Sequence, residues 1–240
     1  TITVIDSTPP VLVGFPIGVT VECDAIPAIA TVTATDNCDT TLTVGFSEFT
    51  FIFDGVGFII RQWTVTDDGG NTTTDEQFII VQDFTAPALV GVPIDVTVEC
   101  DAPVIPVPTV TATDNCDATL LVVLYSETIS VTDGVGSITR EWTVTDVGGN
   151  TTTETQTITV IDSTPPVLVG LPVDIFVQCD AIPGIPVVTA TDNCDTTLTV
   201  GFFELDLVID GVGAIYRQWT VTDDGGNTTA DTQIILVIDT

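Results

Sequence analysis

The stretch R-Q-W-T-V-T-D-D-G-G-N-T-T, residues 61–73, returns almost unchanged at 140–152 and 217–229. Its first half alternates, setting Arg61, Trp63 and Val65 on one side of a strand and Gln62 and Thr64 on the other. Its second half, Asp67-Asp68-Gly69-Gly70-Asn71, is turn chemistry. A strand followed by a tight turn, given three times, predicts a tandem β-architecture.

Other landmarks keep a nearly fixed distance from this stretch. T-A-T-D-N-C-D lies upstream in each copy, ending at Asp39, Asp117 and Asp195. Aspartates at 6, 83, 162 and 239, each in a V-[IQ]-D context, mark the joins and are spaced by 77, 79 and 77 residues. That period is too long for a solenoid unit and suits a small β-domain. The division is therefore residues 1–6 (the closing strand of a preceding repeat), then repeats at 7–83, 84–162 and 163–240. T-I-T-V-I-D at 1–6 duplicates 157–162, which reads as an excerpt of a longer array. A second reading is a polymer in which this strand completes a neighbouring subunit.

Within a repeat, short alternating runs separated by Pro, Gly and Asp predict six or seven strands and no helix. The fold class is all-β, a tandem array of three immunoglobulin-like antiparallel β-sandwiches. Asp54-Gly55-Val56-Gly57 is a hairpin turn, and Gly55 suits the first central position of a type II′ turn. That register sets Asp39 opposite Thr72, and Glu48 opposite Trp63 and diagonal to Arg61. An inserted residue near Leu121 predicts a bulge in the second repeat.

The net charge is −31, with no Lys or His; the only cationic side chains are Arg61, Arg140 and Arg217. Nucleic acid and anionic membrane surfaces are excluded as electrostatic partners. Although 44% of residues are hydrophobic, no apolar run approaches the ~18 residues that span a bilayer, so no membrane span is expected. Without histidine, Ser/His and Cys/His catalysis is impossible, and an active site repeated three times is improbable. The chain reads as a non-enzyme.

Six cysteines fall two per repeat: Cys23 and Cys38, Cys100 and Cys116, Cys179 and Cys194. Even count and regular spacing predict disulfides and an oxidising, extracellular compartment. Pairing within each repeat is the expectation, free buried thiols the alternative. A Cys23–Cys38 bond would bring Asp24 beside Asp36 and Asp39.

Acidic residues recurring in loops at one end of every repeat form the candidate metal ligands. They are Asp6, Asp24, Asp36, Asp39, Asp67 and Asn71; Asp83, Asp101, Asp114, Asp117, Asp146 and Asn150; and Asp162, Asp180, Asp192, Asp195, Asp223 and Asn227. Hard oxygens without nearby cations suit Ca²⁺, which takes 6–8 oxygens in irregular geometry. The alternative is that these residues merely form turns. Val147 replaces Asp68, and Gln178 replaces Glu22 and Glu99, so neither position reads as an indispensable ligand. Glu48/Arg61, Glu127/Arg140 and Glu204/Arg217 are expected as structural ion pairs beside a core Trp. N-T-T at Asn71, Asn150 and Asn227 is a formal glycosylation sequon, but an asparagine finishing a tight turn is the preferred reading.

D-S-T-P-P-V-L at 6–12, T-V-E-C-D at 20–24, T-A-T-D-N-C-D at 33–39 and R-Q-W-T-V-T-D-D-G-G-N at 61–71 together resemble the hyalin-repeat-like, Ig-like modules of giant cell-surface adhesins of Bacteroidota, gliding-motility adhesins included. The likeness covers essentially the whole chain. It implies secreted domains strung end to end as a stalk or filament. Their partners would be neighbouring repeats, with a surface glycan or protein bound at a distal tip. Such modules often carry a second cysteine pair near the hairpin turn, where this chain has small or apolar residues. The rival reading is a multivalent glycan-binding module.

Overall fold

The structure, a computed structural model, describes residues 1–117 and 122–239. Every named element is a strand, and among the described residues no helix is long and apolar enough to cross a membrane. Repeat one contains β1 (Val11–Val13), β2 (Val19–Glu22), β3 (Thr33–Thr35), β4 (Val44–Phe53), β5 (Val56–Thr66) and β6 (Thr72–Gln82). Repeat two contains β7 (Ala88–Val90), β8 (Val96–Glu99), β9 (Thr111–Thr113), β10 (Leu124–Thr132), β11 (Val135–Thr145) and β12 (Thr151–Ile161). Repeat three contains β13 (Val167–Val169), β14 (Ile175–Gln178), β15 (Thr189–Thr191), β16 (Val200–Asp206), β17 (Gly213–Thr222) and β18 (Thr228–Ile238). Each repeat contains a two-stranded sheet, β1-β3 in the first, and a four-stranded sheet, ordered β2-β6-β5-β4 in the first.

One pairing departs from the antiparallel expectation. β2 lies parallel to β6, with Val19 opposite Ile79 and Glu22 opposite Gln82, and β8 and β14 do the same with β12 and β18. Both strands of each pair therefore run toward the end where the chain leaves the repeat. Alternation of apolar side chains fixes which face a strand buries but says nothing about its direction.

The hairpin also corrects the expected register. Asp54 and Gly55 both have positive φ, 42° and 77°, so the turn is type I′ and centred one residue earlier than expected. Asp tolerates the left-handed region, and the primed turn matches strand twist. Glu48 consequently faces Arg61 directly rather than Trp63, as Glu204 faces Arg217. The bulge expected near Leu121 lies outside the described residues.

The core sits on the inner face of the larger sheet in two apolar patches. In repeat three one patch is Leu168, Trp219 and Val221, the other Ile215, Ile235 and Val237. Each Trp is only 2% exposed; burying ~200 Å² apiece is worth on the order of 5 kcal/mol at ~25 cal/mol/Å². A polar layer separates the patches. Arg61 donates through Nε to Glu48 (2.7 Å) and through Nη1 to the Ala28 carbonyl (3.3 Å), while Gln77 donates to the Ile17 carbonyl (3.0 Å). These bonds tie two irregular segments, one at Ile17 before β2 and one around Pro27 after it, to the sheet. Arg140–Glu127 (2.8 Å) and Arg217–Glu204 (2.7 Å) repeat the arrangement.

By packing, the chain forms two compact units. The first is Thr1–Val92, Thr109–Tyr125 and Trp142–Glu154; the second is Pro93–Pro108, Ser126–Glu141 and Thr155–Thr240. The division runs through the middle repeat, so each of the two joins lies whole inside one unit.

Candidate metal centre at the joins

Each join is built from four pieces of chain. The T-A-T-D-N-C-D loop contributes an aspartate whose Oδ1 accepts two backbone N–H groups. Asp114 takes them from Cys116 (2.7 Å) and Asp117 (3.0 Å), and Asp36 and Asp192 do likewise. The join aspartate uses Oδ1 in the same way, Asp6 accepting from Thr8, Asp83 from Thr85 and Asp162 from Thr164. The D-x-G-G-N turn contributes Asp67, Asp146 or Asp223, with both carboxylate oxygens bonded to the backbone and side-chain nitrogens of Asn71, Asn150 or Asn227. Each asparagine amide also donates to the join aspartate's carbonyl, at 3.3, 3.0 and 3.0 Å. In this arrangement the asparagines clamp the turn and their amides are committed, which favours the turn reading over the glycosylation one.

The remaining oxygens are the notable feature. Oδ2 of Asp6, Asp36, Asp83, Asp114, Asp162 and Asp192 is buried without a hydrogen-bond partner among the described residues. Two such atoms recur at every repeat's entry, one from the join and one from the loop. Carboxylate oxygens of Asp83, Asp114 and Asp146 lie within 4.8 Å of one another, as do those of Asp6, Asp39 and Asp67. Leaving a buried acceptor unpaired is costly, and leaving paired anions so is worse.

Electrostatics register the crowding. Burial, opposed by the Thr85 amide and reinforced by Asp114 and Asp146, pushes Asp83 up to about 6. Asp162 is raised likewise by burial, with Asp192 and Asp223 adding to it. Burial also pushes Asp192 upward, but the amides of Cys194, Asp195 and Asn193 and the facing Asp162 outweigh it and hold this carboxyl low. Asp67 is held low against burial by Asn71 and the Gly69 and Gly70 amides.

Two residues set aside in the sequence belong here. Glu22, at the end of β2, accepts from Phe84 N (3.2 Å) and Thr85 Oγ1 (3.1 Å) in the next repeat. Glu99 does the same with Ser163 N (3.2 Å) and Oγ (2.8 Å). Burial would raise the Glu22 carboxyl, but these donors, Asn115 and Asp83 prevail and hold it down. Their place in V-E-C, next to a cysteine that reaches the following repeat, was the available signal. Gln178 stands at the exit of repeat three, so its identity says nothing about the other two joins.

The disulfides overturn the expected pairing. Cys23 bonds Cys116 and Cys100 bonds Cys194, with Cα atoms 5.7 and 6.0 Å apart. Cys38 and Cys179 are free and exposed. The cause is the parallel strand. β2 delivers Cys23 to the exit end, whereas the loop holding Cys38 stands at the entry, so one repeat's two cysteines point opposite ways. Asp24, Asp101 and Asp180 follow the exit cysteines, are exposed, and do not join the entry group of their own repeat. The hairpin turn covers the cystine. A Cβ on Gly55, already at φ +77°, would sit 2.5 Å from Cys116 Cβ, and one on Gly134 equally close to Cys194. Beside Cys38, burial and the neighbouring Asp6, Asp36 and Asp39 raise the thiol pKa.

Residues 90–160 match the family described as an HYR-like domain with 4 cysteines. Only Cys100 and Cys116 fall in that span. No curated protein matches the chain. Among solved structures, mouse cadherin-23 EC22–24 is similar at 15% identity and TM-score 0.36, over 98% of this chain and 100% of that one. Drosophila N-cadherin EC1–3 is similar at 14% identity and TM-score 0.33, over 94% and 99%. The protocadherin gamma B7 EC3–6 cis-dimer structure gives 14% and 0.34, over 95% and 77%. A likeness of that degree bears on neither ligand nor partner.

Proposed function

We propose that this chain is part of the shaft of a repetitive extracellular adhesin, in which calcium held at each join stiffens one repeat against the next. The observation that carries the reading is the recurring pair of buried, unpartnered carboxylate oxygens at the entry of each repeat, flanked at the two joins by a glutamate of the repeat before. Asp83, Asp114, Asp146 and Glu22 would hold one ion, and Asp162, Asp192, Asp223 and Glu99 another. A hard divalent cation accepts several carboxylates and fills its remaining positions with water, which this all-oxygen set suits. The ion would neutralise the join; the chain's own residues space the ligands through the Asn clamp, the Asx turns and the cystine. The Bacteroidota surface origin and the gliding-motility setting rest on the motif resemblance given above.

The test is calcium titration by calorimetry together with small-angle scattering in calcium and in EDTA. Binding lost in D83N/D162N, with a more extended average in calcium, supports the reading. No heat and identical scattering would sink it. The rival, glycan binding, draws its support from an aromatic surface on the first repeat. Phe49, Phe51, Phe58 and Phe78 form a largely exposed row on repeat one, with rings 5.5–6.1 Å apart. The three buried Trp residues are unavailable for stacking on sugar. Glycan-array binding lost in F49A/F51A would favour the rival.

A further inference from the structure

We infer that Cys38 and Cys179 are complementary halves of a further inter-repeat disulfide: an entry socket such as that of Cys38 takes an exit cysteine such as Cys179, whether the two belong to successive repeats of one chain or to two molecules brought together. This goes beyond the shaft reading and does not depend on calcium being the cation.

Both thiols are set as their bonded equivalents are. Asn115 and Asn193 each donate a side-chain N–H to the next residue's sulfur, Cys116 at 3.2 Å and Cys194 at 3.0 Å, and Asn37 does so to Cys38 at 3.2 Å. The backbone N–H of all three cysteines is fixed on the preceding aspartate, at 2.7, 2.8 and 2.8 Å. At the other end, a Cβ on the hairpin glycine would stand 3.4 Å from Cys100 Cβ in repeat two and 3.5 Å from Cys179 Cβ in repeat three. The free cysteines therefore occupy the same two sockets as the bonded ones, one at an entry and one at an exit. The independent observation is that these two sockets are joined to each other twice within the chain, as Cys23–Cys116 and Cys100–Cys194. Two entry cysteines never pair, nor do two exit cysteines.

Bond formation takes two electrons and two protons from the thiols. Glutathione disulfide accepts them: one thiolate forms a mixed disulfide, the other displaces glutathione, and two glutathione thiols leave. Residues 1–5 repeat the sequence position of 234–238, and Ile2 and Val4 are 93% and 88% exposed. In a joined pair they would stand where 234–238 already lie, so they are dispensable.

The experiment incubates the purified 240-residue chain with glutathione disulfide in ~0.5 M salt, which screens the like charges, and reads non-reducing gels and cross-linked peptides. Wild type should give a ladder, and C38S mixed with C179S should stop at dimer. Cys38–Cys179 peptides should exceed the symmetric pairs several-fold, and deleting residues 1–5 should leave the ladder in place. Absence of a ladder, symmetric pairs as frequent as Cys38–Cys179, or a ladder lost with residues 1–5 would each overturn the inference.

Discussion

Buried charge is handled in two ways within each repeat. In the middle, Arg61 is 4% exposed and its guanidinium is matched by Glu48 and a backbone carbonyl, all from one repeat. At the join, Asp83 is also 4% exposed, yet it faces Asp114 and Asp146 and leaves an oxygen unpartnered. The chain can satisfy a buried ion where it must, and the open oxygens at the joins are where the proposed cation would complete the set. The middle layer is closed within one repeat; the join is left with open acceptors.

The largest effect should come from the covalent part of the join. C23S/C116S opens a bond of sequence separation 93 and should cost about 4–5 kcal/mol on the chain-entropy account, read by guanidinium unfolding; C38S should leave the monomer unchanged. Next, R140M strips Glu127 and the carbonyls of Ile105 and Pro106 of their donor and should destabilise by about 3 kcal/mol. D83N in EDTA should be neutral or stabilising, within about 1 kcal/mol. Equal losses in the two variants would erase the distinction drawn above.

Calcium at a hundredfold excess over its Kd should add about 2.7 kcal/mol, seen as a rise in Tm that D83N/D162N removes. The smallest effect is in pH. Asp83 has a folded pKa raised to about 6 from an ordinary 3.8, so its contribution is present below the unfolded value and lost as pH rises through about 6. In EDTA, stability should therefore fall between pH 4 and about 6; calcium, by holding the ionised form, should flatten that slope. Urea midpoints across this range, with and without calcium, decide it.

The threefold period, the six strands per repeat and the buried face of Arg61, Trp63 and Val65 were legible in the residues, because alternation and turn chemistry are local. The acidic loops were legible too, since like motifs recur at like distances. What escaped was direction. V-T-V-E at 19–22 reads identically as a parallel or an antiparallel strand, and Cys38 is much nearer to Cys23 in sequence than Cys116 is. The nearly constant separation of Cys23 from Cys116 and of Cys100 from Cys194 was present, but proximity along the chain hid it. Asp54-Gly55 was the better hairpin signal, because an Asp-Gly pair supplies both left-handed positions of a primed turn.

The two staples overlap, since Cys100 precedes Cys116. Any single cut of the backbone between Cys23 and Cys194 therefore leaves the two ends covalently attached. Under tension the taut route runs from Cys23 through sulfur to Cys116, back along the chain to Cys100, and through sulfur again to Cys194. Between Cys23 and Cys194 only that short middle segment can pay out, about 60 Å at full extension, while residues 24–99 and 117–193 hang as two slack side loops. Pulled at those two outer cysteines, the stretch between them should yield a little and then lock.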